Sequence, residues 1–262
     1  MSLDAFYTLD ADGNYEPRPE ARSPWSADMM HGRLLAGIVA RTVEVDDHAT
    51  DGFRPARLTI DLFRSPTMEP VVVRHERTRD GGRIRIVEVW LAVGGRDVAR
   101  ATVVLLRTGP HPEGNVWSRA NWDVPHPDDI AEPAASGQRS ISSMQIRAVE
   151  GRGMGTDAQR QVWIRDDRTL LDGEPLTPFQ RAVLAADFAS PLGNSGDLGL
   201  TFINADITVY LGRLPDGEWI GLEVGAHIGT DGVAVSRCDL FDTEGPVGFA
   251  DVCAVANPRM NR

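Results

Sequence analysis

The chain contains no lysine, so each of its 27 basic residues is an arginine. Without lysine it cannot form a Schiff base, anchor pyridoxal phosphate or complete a Walker-type phosphate loop. Cysteine is nearly as scarce, because Cys238 and Cys253 are the only two and they form no CxxC pair. This excludes a disulfide framework and predicts reduced thiols.

Long apolar runs and an excess of positive charge are also missing. No apolar stretch reaches the length of a membrane-spanning helix, and the start MSLDAFYTLD lacks the form of a signal peptide. The net charge of −11 argues against nucleic acid and against an anionic membrane surface as general partners. We therefore expect a cytoplasmic protein, and its 262 residues allow one large domain or two of ordinary size.

A first buried helix is predicted to begin after Ser26 and to continue to about Glu44. Ser26 has the side chain of a helix N-cap, and the segment LLAGIVA in the middle is apolar on every side. A helix that is apolar all round must be surrounded by other structure.

A second helix is predicted over residues 177–190, and it carries a carboxylate in an unusual place. Phe179, Val183 and Asp187 fall at i, i+4 and i+8, so Asp187 shares a stripe with two large apolar side chains. Burial and the negative end of the helix dipole are both expected to raise the pKa of Asp187. A raised pKa suits general base catalysis near neutrality.

Alternating and β-branched segments predict nine strands, at about 56–64, 70–78, 83–93, 96–107, 159–166, 201–213, 218–228, 233–241 and 246–256. Turn signals recur at nearly constant offsets between the halves of the chain. Asp80 and Asp231 stand 151 residues apart, and Gly95 and Gly245 stand 150 apart. The repeat indicates a tandem duplication of one helix with an antiparallel sheet curled around it.

The duplication predicts an α+β protein in two units joined by a linker. The N-terminal unit covers residues 1–108, and the C-terminal unit covers 158–262. Between them, residues 109–157 are rich in proline and polar side chains, which predicts a long irregular connection.

Short motifs occur in both halves in the order found in a known family. They are RQVWIR at 160–165 followed by Ala186-Asp187-Phe188, LFRSP at 62–66 with Arg79-Asp80-Gly81, SPW at 23–25 with His31-Gly32-Arg33, and FINADITV at 202–209. Together they resemble the acyl-CoA thioesterase II family and the actinobacterial thioesterase-like proteins. The resemblance implies a double hotdog fold, in which each unit wraps a sheet around a central helix.

The resemblance also implies a site that holds water against a thioester carbonyl. In that family the site has an Asp on the second helix, a Thr at the start of the next strand and a Gln on the last strand. These positions fall here on Asp187, on Asn204 and on either Val252 or Cys253. The neighbouring Asp251 is a possible substitute for the missing Gln.

Asn204 has a geometric problem as a site residue. In a regular strand it lies opposite the apolar row Ile203, Ala205 and Ile207, which should face the helix. It reaches the site only if it precedes the regular strand or if a bulge re-aims it. Otherwise Asn204 satisfies backbone groups at a strand entry.

The start of the first helix, His31-Gly32-Arg33, is the candidate oxyanion and substrate-binding site. Free backbone N–H groups there can polarise the thioester carbonyl, and the glycine permits close approach. The alternatives are a structural histidine and a glycine required for tight helix packing. For Asp187 the alternative is a helix-end residue that bonds to the loop at 193–195.

The predicted function is hydrolysis of an acyl-CoA or another acyl thioester by water, with Asp187 as base and Asn204 as its partner. The alternative is an acyl-CoA or acyl-chain binding protein that has lost hydrolysis. A hotdog hydratase ranks third, because it needs an Asp/His pair and His31 lies in the other half. No metal or other cofactor is implied, and a homo-oligomer is expected.

Overall fold

The computed structural model describes residues 5–131, 144–151 and 155–257. These ranges contain the α-helices α1 Arg33–Arg41, α2 Pro178–Ala186 and α3 Ala189–Asn194. A π-helical turn, Thr42–Asp46, extends α1, and 3-10 turns lie at Pro19–Ala21, Pro127–Asp129 and Val149–Gly151. Within the described ranges no helix has the length and apolarity to cross a membrane.

The strands include all nine predicted ones, with ends displaced by at most three residues. They are β1 Tyr7–Leu9, β2 Tyr15–Pro17, β3 Phe53–Leu62, β4 Val71–Asp80, β5 Ile84–Val93, β6 Arg96–Arg107, β7 Met144–Ala148, β8 Gln161–Asp166, β9 Ser195–Gly196, β10 Gly199–Leu200, β11 Phe202–Asn204, β12 Asp206–Leu211, β13 Ile220–Thr230, β14 Val233–Asp242 and β15 Gly245–Ala256. The long strand predicted at 201–213 is thus interrupted at Ala205.

Apart from the short β9–β10 ladder, the described strands form one antiparallel sheet. Its order is β1-β2-β4-β5-β6-β3-β12-β15-β14-β13-β8-β7, and β11 also pairs with β15. Strands β3 and β12 meet in the middle, where Ile60 lies opposite Ile207. The strands of the first and second halves of the chain therefore share one continuous sheet.

The helices lie inside this sheet. All nine residues of α1 are buried, and α2 packs against it. The first edge strand lies against the segment that follows β8, because Tyr7 of β1 bridges to Leu171 and its N–H donates to the carbonyl of Leu170 at 3.0 Å. A large antiparallel sheet around a few buried helices is an α+β architecture.

The helix α1 begins later than predicted, and Ser26 is not its N-cap. Gly32 takes that position. Ser26 instead closes a turn, in which its hydroxyl accepts from the N–H of Asp28 at 3.3 Å. Met29 and Met30 then form isolated β-bridges, and the N–H of Met30 donates to the carbonyl of Pro66 at 2.9 Å, so these residues do not enter the helix.

The second predicted helix is divided in two. Thr177 caps α2, and its hydroxyl accepts from the N–H of Gln180 at 3.1 Å. The helix ends at Asp187, and α3 begins two residues later. A carboxylate thus sits at the junction of two short buried helices.

The connection predicted over 109–157 is not irregular throughout. It contains β7, which pairs with β8 along its full length. The part before β7 packs on the outer face of the sheet, where Trp122 stacks on Phe241 with ring centroids 4.6 Å apart. Residues 132–143 and 152–154 of the predicted linker lie outside the described residues.

The β12–β15 pairing needs a glycine at position 248. A Cβ there would overlap the carbonyl oxygen of Tyr210, which is backbone and cannot rotate away. We expect Gly248→Ala to lower the free energy of unfolding by about 3 kcal/mol, because the two strands must separate locally. Gly82→Ala is the control, since its Cβ would meet nothing within 4 Å. Chemical denaturation measures both, and equal stability of the two variants would contradict the close approach.

Candidate functional site

Asp187 lies where α2 ends and α3 begins, and it is buried with 9% of its surface exposed. Its backbone is helical, and its carbonyl accepts from the N–H of Ser190 at 3.1 Å. The junction is held by apolar neighbours, since Phe188 and Ala186 are also buried. The apolar stripe that the sequence indicates therefore does carry this carboxylate into the interior.

The interruption of the strand at Ala205 turns the side chain of Asn204 toward the interior. Asn204 lies opposite Ala254, whereas Thr208 lies opposite Asp251, so one strand advances four residues while β15 advances three. This is a β-bulge with one extra residue. It reverses the alternation: Ile203 is 42% exposed, and the amide nitrogen of Asn204 is buried.

The amide of Asn204 faces the carboxylate of Asp187 and lowers the pKa of that group. Its Nδ2 atom is nevertheless without an acceptor at hydrogen-bonding distance among the described residues. The amide and the carboxylate therefore lie close together without a well-formed hydrogen bond between them. A buried donor beside a buried carboxylate can hold a small polar molecule between them.

His31 approaches Asp187 from the start of α1, with 3.9 Å between Nδ1 and Oδ2. Burial and then the charge of Arg33 lower the pKa of His31 to about 3, so the imidazole is neutral and the contact is not an ion pair. The backbone N–H of Arg33 donates to Nδ1 at 3.4 Å, which makes Nδ1 an acceptor. Two acceptors at this separation favour a proton donor between them.

Gly32 leaves open space next to these groups. A Cβ built on it would meet nothing within 4 Å, so tight packing does not explain this glycine. Its backbone N–H has no acceptor among the described residues, whereas those of Leu34 and Leu35 donate to the carbonyls of His31 and Gly32. The first turn of α1 thus presents a free donor.

Arg33 is directed away from the open space. It is 2% exposed, its Nη1 lies 2.5 Å from Oδ1 of Asp166, and its guanidinium lies 5.4 Å from the ring of Phe6. The structure therefore places Arg33 behind the group formed by Asp187, Asn204, His31 and Gly32. Sequence reasoning missed Asp166 and Phe6, because neither carries a local signal of its partner.

Burial sets the ionisation of Asp187. It raises the pKa from the ordinary 3.8 to about 6, while the charge of Arg33 and the amide of Asn204 act in the opposite direction.

The last strand supplies no polar side chain on the helix side. Of the two candidate positions, Val252 is 2% exposed and faces the interior, whereas Cys253 is on the exposed side. Asp251 is not a substitute, because its carboxylate pairs with Arg237 at 2.7 Å on the outer face. Among the described residues no group of three or more His, Cys, Asp or Glu side chains can hold a metal.

Comparison with known proteins gives a consistent family. A family model described as the acyl-CoA thioesterase N-terminal domain matches residues 21–106, and one described as the acyl-CoA thioesterase C-terminal domain matches residues 119–250. A search of curated proteins found no match.

Solved structures with the same fold are similar over most of their length. A conserved protein with a hot dog fold from Alicyclobacillus acidocaldarius is 16% identical, covering 95% of each chain, with a TM-score of 0.73. A putative thioesterase II from Thermobifida fusca is 14% identical over 96% of this chain and 95% of that one, with a TM-score of 0.72. The acyl-CoA thioesterase II TesB2 from Mycobacterium marinum is 20% identical over 86% and 90%, with a TM-score of 0.64.

The raised pKa of Asp187 predicts a stability change with pH. Between the ordinary pKa of 3.8 and the native value of about 6, the folded chain binds more protons than the unfolded chain, so stability falls as pH rises. Above this window the ionised carboxylate destabilises the fold by about 3 kcal/mol. We therefore expect Asp187→Asn to be more stable than the wild type at pH 7 and to lose this advantage by pH 4.

Thermal and denaturant unfolding across pH 4 to 8 measures the difference. The control is Asp123→Asn, which changes an exposed carboxylate. A gap between Asp187→Asn and the wild type that stays constant with pH would contradict the raised pKa.

Proposed function

Because this chain belongs to the acyl-CoA thioesterase family, we propose that it hydrolyses an acyl thioester by direct attack of water. The hotdog-type fold and the family match support the substrate class. The observation that carries the mechanism is the buried Asp187 carboxylate, which meets the unpartnered amide of Asn204 beside the open first turn of α1.

Asp187 acts as the general base in this proposal. With a pKa of about 6 it is largely ionised at neutral pH yet basic enough to accept a proton from water. The water oxygen bonds to the thioester carbon, and the carbonyl electrons move to its oxygen. When the C–S bond breaks, the proton on Asp187 passes to the leaving thiolate, which gives a carboxylic acid and a thiol.

Asn204 and His31 orient the water. The amide N–H of Asn204 has no acceptor in the described part of the chain, and Nδ1 of His31 is an acceptor 3.9 Å from Asp187. A water between the groups can accept from Asn204 and donate to Asp187. This arrangement fixes the oxygen lone pair that attacks the substrate.

Gly32 supplies the oxyanion donor. Its free N–H belongs to the first turn of α1, where the helix dipole favours developing negative charge. The absent Cβ leaves room for the thioester carbonyl at this point. Arg33 contributes through its buried charge, because its guanidinium is not open to a substrate.

We further propose that the chain is a double hotdog, with units at 1–108 and 158–262 joined by 109–157. Each helix is followed by its own set of strands in the sequence: α1 precedes β3 to β6, and α2 precedes β11 to β15. The site then lies between the units, because His31 comes from one and Asp187 from the other. Since β7 pairs with β8, the connection contributes the edge strand Met144–Ala148 to the sheet of the second unit.

A binding protein without turnover is the second candidate. It is favoured by Val252, which places an apolar side chain where the related family has a third polar group. In that case Asp187 would contribute neither to hydrolysis nor to affinity. The wild type and Asp187→Asn would bind an acyl-CoA equally, and neither would cleave it.

Self-association is also proposed, through an apolar stripe on the outer face of the second half. The stripe consists of Ile203, Val255, Val233, Val235 and Ile228, which are 42–69% exposed and neighbour one another across β11, β15, β14 and β13. Contiguous exposed apolar surface of this kind marks contact surfaces.

Hydrolysis of acyl-CoAs of different chain length tests the proposed activity. We expect Asp187→Asn to lower kcat/KM by about 100-fold or more. Asn204→Ala should lower it by about 10- to 100-fold, since it removes one hydrogen bond to the reacting water. In the wild type, kcat/KM should rise with pH as Asp187 ionises and reach half its plateau at about pH 6.

Release of thiol measures these rates, with one equivalent subtracted for the exposed Cys253. Asp251→Asn is the matched control, because that carboxylate lies on the outer face and should leave kcat/KM unchanged. Binding of acyl-CoA by the wild type without cleavage, equally in Asp187→Asn, would favour the binding protein.

Light scattering tests the apolar stripe. We expect Val235→Lys to shift the protein from an oligomer to a monomer, because a charge is introduced into the proposed contact. Val72→Lys is the control, since Val72 is similarly exposed at 42% but lies on β4 in the other half. A wild-type protein that is monomeric at all concentrations would refute self-association.

A further inference from the structure

A buried ion pair joins the two halves of the chain directly behind the site. The side chains of Arg33 and Asp166 are 2% and 3% exposed, and they lie 2.5 Å apart although 133 residues separate them. Arg33 is the first residue of α1, and Asp166 is the last residue of β8. The ring of Phe6, 1% exposed, covers the guanidinium at 5.4 Å.

The first strand keeps this pair out of water. The N–H of Phe6 donates to the carbonyl of Thr169 at 3.0 Å, and Tyr7 is completely buried beside the pair. Burial raises the pKa of Tyr7, which keeps its phenol neutral. Asp166 therefore provides the close countercharge to Arg33 in a medium where charge interactions are strong.

Few charged groups surround Asp187, so the position of Arg33 matters. From the N-terminal end of α1 it faces Arg33 and the neutral His31, and from β11 it faces the amide of Asn204. The groups that act on Asp166 are Arg33, Asp167 and Arg181. On the neighbouring part of β15 the interior residues are Val252 and Ala254, which are uncharged.

We propose that Asp166 and Arg33 are positioning residues: Asp166 holds the guanidinium near Asp187 without letting the two form an ion pair. Arg33 then stabilises the ionised form of Asp187 at a distance, and the carboxylate oxygens stay available to water. This deepens the proposed function and rests on it for the role of Asp187 as base.

The physical reason is competition for one buried cation. Removing one member of a buried ion pair leaves its partner as an uncompensated buried charge, which then interacts more strongly with the other charges around it. Without Asp166, the positive charge of Arg33 acts on Asp187 without the opposing charge at position 166. Without Arg33, Asp187 loses its positive neighbour. The two losses therefore push the ionisation of Asp187 in opposite directions.

Carbon-13 NMR of protein labelled at the aspartate carboxyl carbons tests the proposal without requiring turnover. The Asp187 signal is identified by its loss in Asp187→Asn. We expect Asp166→Asn to lower the pKa of Asp187 and Arg33→Met to raise it, each by about one pH unit. The pH at which kcat/KM reaches half its plateau should move in the same two directions.

A matched control and a rescue variant separate positioning from damage to the fold. Arg237→Met and Asp251→Asn break an ion pair on the outer face and should not move the Asp187 signal. If Arg33→Met does not fold, the double variant Arg33→Met/Asp166→Asn removes both charges together, which buried pairs tolerate better. It should raise the pKa of Asp187.

Opposite shifts in the two single variants, or a raised pKa in the double variant, support positioning by this pair. Shifts in the same direction, or an Asp187 signal that does not move, overturn it. If the shifts occur but no acyl-CoA is hydrolysed by the wild type, the proposed function fails while the effect of the pair on Asp187 stands.

Discussion

No residue of α1 faces water, and the rest of the chain is arranged around that constraint. A short helix with all nine residues buried needs contacts on every side. The first-half strands cover part of its surface, and α2 covers another part. The sheet must therefore continue from β3 into β12 and on to β7, until β1 approaches residue 171.

The same enclosure explains why the ionisable groups of the site are unusual. Asp187 and His31 are far from their ordinary pKa values because both are buried where the helix ends meet. The charge of Arg33 offsets part of the free-energy cost of ionising the buried Asp187, and Arg33 is itself held by Asp166. The charged groups that set the ionisation of Asp187 thus come from both halves of the chain, and neither half alone contains all of them.

Local patterns predicted the elements but not their junctions. Alternation located the strands, and the spacing of Phe179, Val183 and Asp187 identified the buried carboxylate, because periodicity is a local property. The start of α1 was placed too early, since the N–H groups of residues such as Met30 are taken by a distant loop. The pair Arg33–Asp166 was not predictable, because its partners meet only after the whole sheet has formed.

The extra residue at Ala205 makes the site depend on the number of residues in the strand as well as on their identity. A strand side chain changes faces only when the count of residues along the strand changes by one, so the orientation of Asn204 depends on length as much as on identity. Substitution at Ala205 preserves that count. Deletion of Ala205 would remove the extra residue, so Asn204 and Ile207 would stand two positions apart and share the inner face of a regular strand. The amide therefore stays in the site when the bulge residue is lost, and it leaves the site when the strand keeps Ala205 but straightens into a regular ladder.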